Sequence, residues 1–317
     1  MKGRKHARQL LYGAYMHVTA LTALIGLLLQ AAPASQAKPE ATSLLGKPLY
    51  AAAPSPEALA NLDAARKAWG ENARDPDAII WFGRRAGYVQ RFRDAIDVFS
   101  EAIALHPADA RMYRHRGHRY ISIREFDRAV ADLAKAAELV TGKPDQVEPD
   151  GQPNARNIPT STLNSNIYYH LGLAHYLKGD FENALKAYRA CARFSRNADM
   201  TVATGHWLYM ALRRLGRDAE AGKVLEPITA GMDIIENGSY HKLLLMYKGE
   251  ADADALLTSA KAGGIDAVTV GYGVGNWHLY NGRRDRAMQI LRDVVESNTG
   301  QWPAFGYIGA EAEISRQ

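Results

Sequence analysis

The chain has 317 residues, 47% of them apolar and 23% charged, which is enough apolar material for a sizeable core and excludes a disordered polyelectrolyte. The formal charge of +5 is mostly a feature of residues 1–37, which hold four basic side chains and no acid; 39 basic residues less those four leave 35 against 34 acidic ones. A nearly neutral remainder lacks the basic excess of a nucleic-acid-binding domain, and the lone Cys191 excludes an internal disulfide.

In chain order, Lys2, Arg4, Lys5 and Arg8 precede an uncharged Leu- and Ala-rich run from about Val18 to Leu29, followed by small residues ending at Ala37. A basic start, an apolar centre and a small-residue end form a secretory signal peptide, with cleavage expected after Ala37 or, alternatively, Ala34. Export to a bacterial periplasm, with no membrane insertion after cleavage, follows from that reading. The other reading is an uncleaved membrane anchor, because about 20 apolar residues suffice to span a bilayer. Residues 38–54 are rich in Ala, Pro, Ser and Gly without a sustained period and read as a flexible linker. Ser55-Pro56-Glu57 then starts a helix: a capping hydroxyl, a proline where the missing N–H costs nothing, and an acid at the positive end of the dipole. Its stripe of Leu59, Leu62, Ala65 and Trp69 is expected to cover the open end of a helical array.

From Asp75 onward the chain is periodic. Gly83 and Gly117, Phe92 and Phe126, and Ala95 and Ala129 are each 34 residues apart, with Tyr113, Tyr120, Leu133 and Ala136 completing the second unit. That length, with small and aromatic residues at fixed offsets, resembles the tetratricopeptide repeat. The resemblance implies an all-α fold over residues 55–317: a right-handed superhelical solenoid of tetratricopeptide-type helix pairs with capping helices. Residues 142–163, polar and holding Pro144, Pro149, Pro153 and Pro159, interrupt it as a loop that either drapes over the groove or stays unordered. A third unit runs through Tyr168, Leu171, Gly172, Gly179, Phe181, Ala184 and Tyr188. The fourth, Trp207 to Leu225, puts Tyr209 where a small residue belongs and is expected to pack loosely. Ser239–Lys261 reads as a degenerate pair; Gly275, Gly282, Ala287 and Leu291 restore the frame, with Gly271–Gly275 as a loose helix start, and Trp302–Ser315 closes the array. The sum is about six pairs plus end helices.

In this family the first helix of each pair lines a concave surface, so the resemblance implies a peptide or ligand groove. Its candidates are Trp81, Arg84 and Tyr88 in the first unit, and Arg111, Arg114, His115 and His118 in the second. Asn166, Tyr169, His170 and Tyr176 come from the third, and His206, Trp207, Met210 and Arg213 from the fourth. Taken alone, Arg114, Arg116 and Arg119 fit a solvated helix face equally well. Arginine grips carboxylates bidentately, so the expected partner is another protein offering an extended, acidic segment, bound more tightly near pH 6 than near pH 8 if the histidines charge. The alternative is a small anionic ligand closed in by the 142–163 loop. No metal site is expected, since the histidines lack a compact ligand spacing. No cofactor is expected either, and no catalytic residues, because nucleophile-elbow, zincin and phosphate-loop motifs are absent from the sequence.

Overall fold

Helix α1 (Pro56–Glu71) begins where the cap signal lies, with the Ser55 hydroxyl accepting from the Ala58 amide at 3.1 Å and Pro56 in the first turn. In this computed structural model, which describes residues 38–261 and 263–317, six helix pairs succeed it. They are α2 (Pro76–Tyr88) with α3 (Phe92–Leu105), α4 (Ala110–Ser122) with α5 (Phe126–Val140), α6 (Leu163–Lys178) with α7 (Phe181–Ala192), α8 (Ala198–Arg214) with α9 (Asp218–Leu225), α10 (Gly238–Lys248) with α11 (Ala253–Ala260), and α12 (Gly264–Tyr280) with α13 (Arg284–Ser297). A 3-10 turn, Thr299–Gln301, leads to the last helix, α14 (Phe305–Ser315). From α1 to α9 each helix packs on the next in sequence, which makes the fold an all-α solenoid of helix pairs. The expected signal peptide lies outside the described residues, among which no helix is long and apolar enough to cross a membrane.

Each regular pair closes on one small residue. A Cβ added to Gly83, Gly117, Gly172 or Gly275 would lie 2.5 Å from Phe99, 2.7 Å from Leu133, 2.8 Å from Tyr188 and 2.9 Å from Leu291, the same sequence offset each time. In the fourth pair Tyr209 takes that place without opening a gap: it is buried, and its ring stacks on Tyr247 of α10 at 4.6 Å. Seven positions later the chain turns through positive φ at Gln90, Arg124, Gly179, Gly216, Gly249 and Gly282 (60°, 67°, 84°, 69°, 88° and 77°). Glycine adopts that conformation freely. The two other side chains hold it by outside contacts, Gln90 accepting from the Ala52 amide at 2.9 Å and Arg124 bonding Glu311 at 3.0 Å.

Two local expectations change. Residues 38–54 are not a free tether: β1 (Ala41–Thr42) and β2 (Pro48–Leu49) pair antiparallel around Gly46, and Ala41 and Leu49 are buried in the main core. Gly46, which suggested a linker, makes the hairpin turn, and Pro48 opens its second strand. Gly271, Gly273 and Gly275 lie inside α12 rather than at its start, and all three press on neighbours; a Cβ on each would collide with Val294, Leu243 and Leu291 respectively.

The closing helix does more than cover an end. It packs on α12 and α13 and reaches back to α6. Glu311, wholly buried, bonds Arg124 from the α4–α5 turn at 3.0 Å, and Glu313, 1% exposed, pairs with Arg214 of α8 at 2.6 Å and Arg316 at 2.8 Å. Trp302 donates to the Tyr50 carbonyl at 2.8 Å, tying the hairpin to the same place.

Candidate functional site

The inner face of α2, α4 and α6 carries three adjoining cavities of about 230, 90 and 370 Å³. The first is lined by Trp81, Arg84, Arg111 and His115, the second by Arg84, Tyr88, Arg114, His115, His118 and Arg119, and the third by Arg114, His118, Asn166, Tyr169, His170 and Tyr240. Shared arginines and histidines join them into one trail. Its roof is the 142–163 loop, ordered here: Val147 bridges to Thr162, Arg85 donates to the Gly151 carbonyl at 3.0 Å, and Asn197 to that of Thr160 at 2.7 Å. Gly151 lies flat on Tyr88, so close that a Cβ would overlap the phenol oxygen.

Helical spacing explains the cluster. On α4, positions 111, 115 and 118 share one face, while Gly117 and Tyr120 pack the opposite one. From the roof, Glu148 reaches down to Arg114 at 3.1 Å and His115 at 3.7 Å, and accepts from Asn166 at 3.1 Å. Arg119 donates to His118 Nδ1 at 2.7 Å, and Arg84 to the Tyr88 hydroxyl at 3.2 Å. The His118 ring rests on that of His170 at 4.2 Å, and Phe305 of α14 seals both at 5.5 and 5.7 Å.

Burial, reinforced by neighbouring arginines, holds His115, His118 and His170 well below the usual imidazole range. They are therefore neutral between about pH 6 and 8, and the charge they were expected to supply in that window does not develop. His170 donates from Nδ1 to the Asn166 carbonyl at 2.6 Å; His118 accepts at Nδ1, which leaves its proton on Nε2. Burial also lowers Arg119 to about 10, with Arg114 and Arg84 adding to the fall and Tyr88 opposing it.

Ten expected groove residues thus converge: Trp81, Arg84, Tyr88, Arg111, Arg114, His115, His118, Asn166, Tyr169 and His170. Arg111 is occupied by Asp77 and Asp109, each at 2.6 Å. His206 and Trp207 are core residues instead, 0% and 1% exposed, and so out of a ligand's reach. His206 stacks on Tyr240 at 4.7 Å, and Trp207 donates to the Tyr169 hydroxyl at 2.8 Å. Tyr176 and Met210 are likewise buried, and Arg213 pairs with Asp218 at 2.7 Å. The reason is that α10 and α12 fold over α8, covering a surface that would be free in an open array. Of the arginines that fitted a solvated face equally well, Arg114, also a groove candidate, and Arg119, which was not one, line the site; Gly87, whose Cβ would sit 2.6 Å from an Arg119 nitrogen, was the available signal for Arg119. Arg116 faces the pair contact and grips Asp132 at 2.7 and 2.8 Å. Among the described residues no three carboxylate, thiol or imidazole groups are placed to hold a metal ion.

Comparison with known proteins bears on the scaffold. The tetratricopeptide-repeat family pattern matches residues 165–197, the α6–α7 pair. No curated protein sequence matches the chain. Among solved structures, YrrB, described as a TPR protein with an unusual peptide-binding site, aligns over 74% of this chain and 92% of its own at 18% identity and a TM-score of 0.41. The Naa15/Naa10 complex bound to HypK-THB aligns over 77% of this chain and 35% of its own, at 14% identity and a TM-score of 0.36. The α6–α7 pair is thus a matched tetratricopeptide repeat, set in an all-α solenoid whose pairs α2–α3, α4–α5 and α12–α13 repeat its small-residue contact.

Proposed function

We propose that the chain is an exported, non-catalytic adaptor of the bacterial envelope that receives an acidic segment of another protein on its concave face. The observation that carries this reading is the chain's own Gln146–Asp150, an extended acidic stretch already lying on that face with Glu148 held by Arg114 and His115. A partner segment would use the same chemistry in the cavities on either side, with Trp81, Tyr169 and Tyr240 as apolar walls and Arg84 and Arg119 as charge partners, a division common at peptide grooves. A second reading, a small anion enclosed beneath the roof, is favoured by the roof's attachment at several points, including Arg156 to Asp233 at 2.8 Å.

Titrating a fluorescent Asp/Glu-rich peptide into the protein tests the first reading. Arg84→Gln with Arg119→Gln is expected to weaken binding by about tenfold or more, and replacing 146–160 by a short Gly-Ser linker to leave it equal or tighter. Affinity unmoved by the arginine changes would sink the adaptor reading. Affinity lost with the roof, in a variant of unchanged helicity, would favour the enclosed small ligand.

A further inference from the structure

We infer that the small cavity between α2 and α4 is a site for one tetrahedral dianion, the phosphoryl group of inorganic phosphate or of a small phosphate ester. This deepens the second reading above, a small anion beneath the roof, and rests on it. The cavity holds about 90 Å³. A water molecule takes about 30 Å³, so the space suits one phosphoryl group.

Its walls are unequal in charge. Three guanidinium groups line it, Arg84, Arg114 and Arg119, against one carboxylate, Glu148. Glu148 is committed to Arg114, whose Nε, buried, has no acceptor. Arg119 and Arg84 have neutral partners, His118 Nδ1 at 2.7 Å and the Tyr88 hydroxyl at 3.2 Å. No carboxylate pairs with either among the described residues. The neighbouring Arg85 is spent on the Gly151 carbonyl, and Asp150, the next acid on the roof, makes no ion pair with Arg84 or Arg119, its pKa raised by burial and by Glu236 and lowered by Arg84. Two half-buried cations, Arg84 and Arg119, are left without a carboxylate in contact, and withdrawing unpaired charge from water is costly. A dianion balances them; a single carboxylate balances half.

Shape agrees with charge. The guanidiniums that line the space come from two helices, Arg84 from α2 and Arg114 and Arg119 from α4, and separate forks suit the separate oxygens of a tetrahedral group. Arg119 is held in place by the Phe92 ring at 5.4 Å, in the room that Gly87 leaves. His118, protonated on Nε2, is available as a neutral donor.

The test is a thermal-melting and calorimetric titration of the purified protein with inorganic phosphate, glycerol phosphate and acetate at matched ionic strength, alongside the acidic peptide. Phosphate at about ten times its dissociation constant is expected to raise the melting temperature by about 3 °C, and acetate to have no effect. Arg119→Gln is expected to weaken phosphate binding about tenfold and Arg119→Lys by less, while Arg286→Gln, on the far surface, leaves it unchanged. Glycerol phosphate binding as well as phosphate identifies an esterified group; phosphate binding alone identifies the free anion. Phosphate acting no better than acetate, or equally on the Arg119→Gln protein, overturns the inference. If the peptide still binds in that case, the adaptor reading stands without it; if neither binds, both fall.

Discussion

At the scale of single residues, the histidines of the core and of the inner face are structural neutral groups, and that has a measurable cost in acid. His206 is wholly buried against Tyr240 and Tyr247, with Nε2 unpartnered, and burial brings its pKa to about 3. In the unfolded chain the same group titrates near 6.5, so between these values the unfolded state binds the proton and the folded state does not. The stability carried by neutral His206 is therefore complete above about pH 6.5 and is lost as pH falls toward 3, at up to about 1.4 kcal/mol per pH unit. His115, His118 and His170 shift in the same direction. Urea denaturation at a series of pH values is expected to give an unfolding free energy that is level around neutrality and declines below about 6.5. His206→Phe should remove about one proton's share of that slope; an unchanged slope would mean that His206 is hydrated or protonated in the native state.

At the scale of elements, α14 is fastened to the middle of the chain by a buried ion pair that sits on a strained turn. Arg124 occupies the left-handed position that four later units give to glycine, and its guanidinium serves both Glu311 and the Trp302 carbonyl. Arg124→Ala removes the partner of a wholly buried carboxylate and is expected to cost about 3–5 kcal/mol. Arg124→Gly should cost about 1 kcal/mol less, because glycine relaxes the backbone. Adding Glu311→Gln to Arg124→Gly should recover most of the loss, which equilibrium unfolding of the three variants would read. The helix pairs themselves were legible in sequence because a 34-residue period links the pair contacts at Gly83 and Gly117, the same small and aromatic offsets resume at Gly172 after the loop, and together they fix the face that points inward. The docking of α14 was not, because Glu311 and Arg124 are 187 residues apart, and an arginine where later units have glycine does not by itself name its distant partner. The site divides along the same line: Arg84, His115 and His118 follow from helical phase on α2 and α4, whereas the burial of His206 and Trp207 depends on later helices that no local periodicity places. The hairpin at 41–49 was misread for a related reason, since its burial is decided by the far end of the chain.

At the scale of residues 38–317 taken as one body, these long-range ties change how the array should unfold. A repeat array in which each unit touches only its neighbours unfolds in steps, as a chain of nearest-neighbour terms. Here Arg124 and Arg214, from two different pairs, converge on Glu311 and Glu313 of one short helix, and Trp302 holds Tyr50 beside them. Loss of any of these regions leaves buried charges without partners in the others, so the free energy of opening one end is not local. The intact protein is expected to unfold in one transition, with far-UV circular dichroism and tryptophan fluorescence coinciding in urea. A variant ending at Ala304 lacks both carboxylates. Its expected behaviour is a lower midpoint and separated curves, with the α1–α5 segment, whose tryptophans are Trp69 and Trp81, departing from the helical signal of the rest. Coincident curves in the shortened protein would show that nearest-neighbour packing alone couples the pairs, and that the buried glutamates orient α14 without making the fold cooperative.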